Sequence, residues 1–169
     1  RFLESPLRGA FVIELDRFAD ARGFFARTFC AAEFTDRGLD ARLAQANLSY
    51  NDARGTLRGM HYQRPPHAET KLVRCTRGAI HDIIIDLRPG SATYLGHFGV
   101  RLDEENRTQL YVPEGFAHGY LTLADRTEVA YQMSVPYRPD HGAGVRWDDP
   151  AFGIRWPEPV RMILERDRT

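Results

Sequence analysis

A chain of 169 residues is long enough for one domain with a real hydrophobic core and short for two, so a single domain over 1–169 is expected. Its 23 basic and 23 acidic residues cancel, so no global field draws it to nucleic acid or to a membrane surface, and any anionic ligand must be held by a local cluster. No apolar run reaches the roughly 18 residues of a membrane-spanning helix, and no secretory h-region is visible.

In chain order, short apolar runs bounded by Gly, Pro, Asp and Asn recur: "AFVIEL", "RGFFARTF", "GTLRGMHYQ", "KLVRCTRGAIHDIIIDL", "GHFGVRL", "TQLYVP", "GYLTL" and "EVAYQMSV". Runs of this length, rich in β-branched and aromatic residues, predict an all-β barrel or sandwich. Helical periodicity is scarce. The best helix candidate is "CAAEFTDRGL", stopped by Gly38, and a second short one is predicted near "DDPAFGI". Pattern alone leaves the packing of "WPEPVRMILERDRT" open. Cys30 and Cys75 lie far apart with no CxxC spacing, which predicts neither a disulfide framework nor a zinc ribbon and fits a reducing cytoplasmic compartment. Lys71 is the sole lysine among the 23 basic residues, which marks it for work that a guanidinium cannot do.

The stretch "GTLRGMHYQ" places Arg58 and His61 in an apolar strand, where either side chain needs a partner if it is buried. Strict alternation puts them on opposite faces. A bulge at Gly59 would bring both to one cavity. Further on, "VPEGFAHGYL" holds Pro113, Gly115 and His118 in a PxGxxH turn that can deliver an imidazole into a barrel mouth, or bond it to a nearby carbonyl. A cupin metal site needs three or four converging ligands, usually two histidines at HxH spacing. Here His61 is followed by Tyr62 and Gln63, and Pro65-Pro66 is expected to turn His67 and Glu69 away, so no metal is expected.

Proton transfer remains. An imidazole such as His61 can act as base near neutral pH, and a tyrosine is a natural acid to return a proton. Tyr131 shares one strand face with Val129 and Met133, where a core aromatic is the competing reading. Arg22, Arg58, Lys71 and Arg74, in or beside strands, form either an anion site or a solvated face.

Together these segments, with "DARGFF", "QANLSYNDARGTLRGMHYQ", "GVRWDDPAFGIRWP", Tyr137 and the terminal "ERD", resemble the dTDP-4-dehydrorhamnose 3,5-epimerase family of dTDP-L-rhamnose synthesis. The resemblance implies a cupin, a double-stranded β-helix or jelly-roll barrel with a few short helices, working without cofactor. It implies His61 as catalytic base, Asp167 as the carboxylate orienting it, Tyr131 as general acid and Lys71 beside the sugar ketone. It places His118 in the same pocket, Arg22, Gln45, Asn47, Arg58 and Tyr137 at nucleotide, phosphate or sugar contacts, and Trp156 near the sugar end. It also implies a homodimer in which N-terminal strands cross to the partner.

Two departures stand out. Arg27 occupies the place of a family glutamate that helps bind thymine, and Leu164 and Arg166 replace a serine and a lysine near the end. The substrate expected is therefore a nucleotide-linked 4-keto-6-deoxy sugar inverted at C3 and C5. The alternatives are a mono-epimerase at either carbon, a CDP or GDP sugar, and, outside this class, a metal-dependent cupin oxygenase or isomerase or a silent sugar-nucleotide binder.

Overall fold

The structure, a computed structural model, describes residues 1–168. Strands β1 (Phe2–Glu4) and β2 (Phe11–Ile13) precede the hairpin β3 (Arg17–Asp20) and β4 (Gly23–Ala26), helix α1 (Ala31–Thr35) and β5 (Gln45–Asn51). They are followed by β6 (Leu57–Gln63), β7 (Lys71–Arg77), β8 (Ala79–Asp86), β9 (His97–Asp103), β10 (Gln109–Val112), β11 (Phe116–Thr122), β12 (Thr127–Met133) and β13 (Gly142–Gly144). Two antiparallel sheets result, six strands in the order β1-β2-β10-β7-β12-β5 and five in the order β13-β6-β11-β8-β9. Apart from the β8–β9 hairpin, the chain changes sheet at every step from β5 to β12. This is the winding of the expected all-β jelly roll.

The apolar pattern divides into three layers. Val73, Cys75, Ile80, Ile84, Leu110 and Val129 meet between the sheets. Met60, Ile83, Ile85 and Ala117 face outward from the five-stranded sheet and are covered by Phe152, Trp147, Ile154 and Trp156. The isoleucine run of β8 is thus buried on both faces, which explains why it lacks polar alternation. On the far side of the six-stranded sheet, Leu72 and Tyr111 pack under Phe34 of α1.

Helix α1 is shorter than its pattern predicted. Only Phe34 of its five residues is buried, and the chain leaves through tight turns that end at Gly38, whose φ is +70°. The helix predicted near 148–154 is absent. Single turns replace it, with the Phe152 N–H donating to the Asp149 carbonyl and that of Gly153 to the Pro150 carbonyl. Pro150 has no N–H to give and Gly153 adopts φ +61°, so no helix propagates. The C-terminal segment, which pattern left open, lies against the barrel. Its Met162 carbonyl accepts the Leu57 N–H, and Arg161 donates its N–H to Gly55.

The question raised by Arg58 and His61 is settled by register. His61 pairs with His118, but Arg58 pairs with Tyr120, so β6 spends three residues where β11 spends two. The extra residue is the predicted bulge. Gly59 there has φ +137°, and a Cβ on it would come within 2.5 Å of the Gly119 Cα. Only a glycine fits so close a backbone approach.

Candidate active site

Along several strands the inner face is core at one end and polar at the other. On β7 it runs from Cys75 and Val73 in the core to Lys71, and on β12 from Val129 to Tyr131. Lys71 and Met133 are register partners, so both strands leave the core at the same end of the barrel. There a cavity of about 660 Å³ opens between the sheets. That volume lies within the range of a small-molecule site. The cavity is lined by Gln45, Asn47, Arg58, His61, Lys71, His118, Tyr131, Tyr137 and Asp167, nine of the predicted residues, drawn from both sheets and the C-terminal turn.

His61 comes from the five-stranded sheet. Its Nε2 lies 2.8 Å from Oδ1 of Asp167, a buried carboxylate brought in by a 3-10 turn at Glu165–Asp167. A carboxylate on one ring nitrogen fixes the orientation of the imidazole and leaves the other nitrogen for the cavity. Tyr131 comes from the opposite sheet. Burial pushes its phenol above the ordinary tyrosine value, the positive charge of Arg58 working against that shift. The phenol therefore carries its proton at neutral pH.

Arg58 is itself held in place. Its Nε donates to Asn51 Oδ1 at 2.7 Å and an Nη to the Tyr50 carbonyl at 3.2 Å. Gln45 and Asn47 are joined side chain to side chain at 2.8 Å, and Gln45 Oε1 accepts the Tyr137 N–H, which ties the exposed Tyr137 to the rim. His118 pairs with Asp82 at 2.8 Å through its Nε2, while Asp82 Oδ2 has no partner among the described residues. Lys71, nearly enclosed, forms an ion pair with Glu69. Among the described residues no group of three or more His, Cys, Asp and Glu side chains is placed to hold a metal ion.

Three predicted residues lie elsewhere. Arg22 sits at the tip of the β3–β4 hairpin and is paired with Asp20 at 2.6 Å. Arg27 is paired with Glu33 at 2.8 Å. Trp156 packs on the outer face of the five-stranded sheet, its indole donating to the Trp147 carbonyl. Arg74, also weighed from sequence, lines a separate depression beside Phe24 and Phe25. One expectation is corrected. Pro65-Pro66 does turn the chain, and His67 stacks edge-on against His141, but Glu69 comes back to line the cavity.

Other cavity residues went unpredicted. Ser49 continues the period-two face of Gln45 and Asn47, a signal legible in the sequence. Tyr120 donates to Ser49 Oγ at 2.9 Å and accepts from Asn51, a network that no spacing announces.

Residues 4–169 match the family described as dTDP-4-dehydrorhamnose 3,5-epimerase. The chain belongs to the dTDP-4-dehydrorhamnose 3,5-epimerase family. A relative of that name from Methanothermobacter thermautotrophicus is 45% identical, over 99% of this chain and 91% of its own. The crystal structure of the family member from Bacillus anthracis, with TDP and PPi bound, superposes with a TM-score of 0.95 at 38% identity, covering 99% of this chain and 96% of that one. A third family structure, from Legionella pneumophila in complex with dTDP-4-keto-L-rhamnose, gives a TM-score of 0.92 at 33% identity, covering 99% and 89%. The cupin jelly roll expected from the resemblance is the fold these epimerases share with the chain. Among the described residues no helix is long and apolar enough to cross a membrane.

Proposed function

We propose that the chain is an isomerase that inverts C3 and C5 of dTDP-4-dehydro-6-deoxy-D-glucose, giving dTDP-4-dehydro-L-rhamnose, by proton transfer between His61 and Tyr131. The observation that carries this is the placement of the two groups on opposite sheets around one cavity. Inverting a carbon requires a base on one face and an acid on the other.

The chemistry follows from the ketone at C4. His61 takes the proton from the neighbouring carbon, and the C–H electron pair becomes a carbon–carbon double bond as the carbonyl pair moves to oxygen. Lys71, its own side chain nearly enclosed, stabilises the resulting enolate electrostatically. Asp167 supports the imidazolium so formed. Tyr131 then protonates the carbon from the other face while the enolate collapses to the ketone. Arg58, its Nε and one Nη already anchored to β5, presents the rest of its planar fork to the diphosphate. Gln45, Asn47, His118 and Tyr137 line the remaining wall.

The homodimer belongs to the same proposal. Strands β1 and β2 pair within their own sheet, but the β3–β4 hairpin joins neither large sheet and leaves Phe18 67% and Phe25 72% exposed. A second copy covering this hairpin would bury those rings and carry Arg22 to the partner's cavity. Light scattering at micromolar concentration is expected to give twice the chain mass, and a monomer would remove Arg22 from the binding set.

The deciding experiment is incubation of the protein with dTDP-4-keto-6-deoxyglucose in D₂O, with the C3 and C5 protons followed by NMR. Exchange at both positions is the expected result. Exchange at one narrows the activity to a mono-epimerase. If neither exchanges, CDP and GDP sugars are the next substrates, because Arg27 replaces the family glutamate expected to help bind thymine.

A further inference from the structure

Glu69 is a buried carboxylate to which neither the residue pattern nor the family resemblance gave a task. It sits just before β7, two residues from Lys71 and on the same side of the chain. Its oxygens are divided between two strands. Oε1 takes the Lys71 ammonium, and Oε2 accepts the backbone N–H of Gln63 at 3.1 Å. Gln63 lies on β6, two residues beyond His61. The adjoining turn is fixed as well, since the Thr70 N–H donates to Ser134 Oγ at 2.9 Å and the Ser134 N–H to the Thr70 carbonyl.

We propose that Glu69 is a positioning residue of this site, a carboxylate tether that holds the Lys71 ammonium in register with the strand carrying His61. The inference rests on the role given above to Lys71. An ammonium has three donors. Glu69 is its one partner among the described residues, which leaves two donors for the oxygen that becomes the enolate. A lysine stem is long and flexible, and without a tether its charge would sample positions away from that oxygen. Base and ammonium must act in one step, one on a C–H and the other on the oxygen of the neighbouring carbonyl, so their separation matters more than the strength of either contact.

Glu69→Gln tests this with little change of shape. Its amide oxygen can accept from Gln63 or from Lys71, but its NH₂ group repels whichever donor it faces. The expected result is a fall in kcat on the order of 10²-fold, the scale of an ångström-level misplacement, with KM within about threefold. In a Lys71→Met background the same change should cost nothing further, since a tether has no effect once its cargo is gone.

Lys71 being the only lysine supplies an independent readout. Protein grown on ¹⁵N-lysine should give one slowly exchanging side-chain ammonium signal, which Glu69→Gln shifts or broadens away. A kcat within twofold of wild type, or a loss that multiplies that of Lys71→Met, would overturn the tether. Should Glu69→Gln fail to fold, Glu69→Asp keeps the charge and shortens the reach by one methylene. It is expected to show the same kcat loss, and wild-type turnover in that variant would overturn the proposal. If wild-type protein exchanged no sugar proton at all, the epimerase reading itself would fall, while the ammonium signal would still decide whether Glu69 holds Lys71.

Discussion

His61→Ala is expected to abolish measurable turnover, with loss of deuterium incorporation at both C3 and C5, while dTDP binding changes less than tenfold. A positioned general base contributes on the order of 10²- to 10⁴-fold, and water cannot replace it from the face that Asp167 has organised. The substitution also has a structural cost that must be separated from the chemical one. His61 is partly open, but Asp167 is 4% exposed and loses its imidazole partner, keeping Arg166 at 3.4 Å. Stranding a buried charge costs on the order of 3–5 kcal/mol where no substitute exists. Arg166 and entering water reduce that figure, so a folded protein with a lowered melting temperature is expected. Calorimetric titration with dTDP checks that the cavity survives. Retained exchange at either carbon would show that another group removes the proton, and His118, the cross-strand neighbour of His61, would be the first to test.

Tyr131→Phe should separate the two halves of the reaction. Removal of the C–H proton by His61 remains possible, but its return from the opposite face does not. Deuterium should therefore enter with configuration retained, while formation of inverted product falls by about 10²- to 10⁴-fold. The Tyr131 hydroxyl has no side-chain or backbone partner among the described residues, so its removal leaves no donor or acceptor stranded and the fold should lose less than about 1 kcal/mol. Because burial raises the phenol above its ordinary value, the acid form persists through neutral pH and the wild-type rate should not decline on its account until the solution is strongly alkaline. Product configuration by NMR, compared with total exchange, is the measurement. Inversion at the wild-type rate would remove Tyr131 from the mechanism.

How much of this was legible in sequence depends on whether the signal was local. The run "KLVRCTRGAIHDIIIDL" divides at Gly78, φ +75°, into β7 and β8 on different sheets, and glycine punctuation within an apolar run is a local cue. The bulge at Gly59 was legible for the same reason, because two functional side chains three residues apart needed one extra residue to share a face. Long-range pairings were not. Asp167 lies 106 residues from His61, and only the family resemblance joined them. Asp82, an acid within isoleucines, finds His118 through sheet register that no periodicity reveals. The place of Glu69 is not legible because Pro65-Pro66 reads as a change of direction, and the return of the chain toward Ser134 depends on contacts 64 residues apart.

The touching glycines of β6 and β11 also bear on how this cavity can be remade. A Cβ on Gly59, which lines the cavity, would meet the Gly119 Cα at 2.5 Å and the His118 carbonyl at 3.1 Å, so the floor there is main chain against main chain. No repacking of side chains can relieve an intrusion there. At the rim, Tyr137 and Leu164 are each more than half exposed and project from loops. A library built to change which sugar nucleotide enters should therefore randomise the rim and leave the floor untouched, since variants altered at the floor would be lost to misfolding before their selectivity could be read.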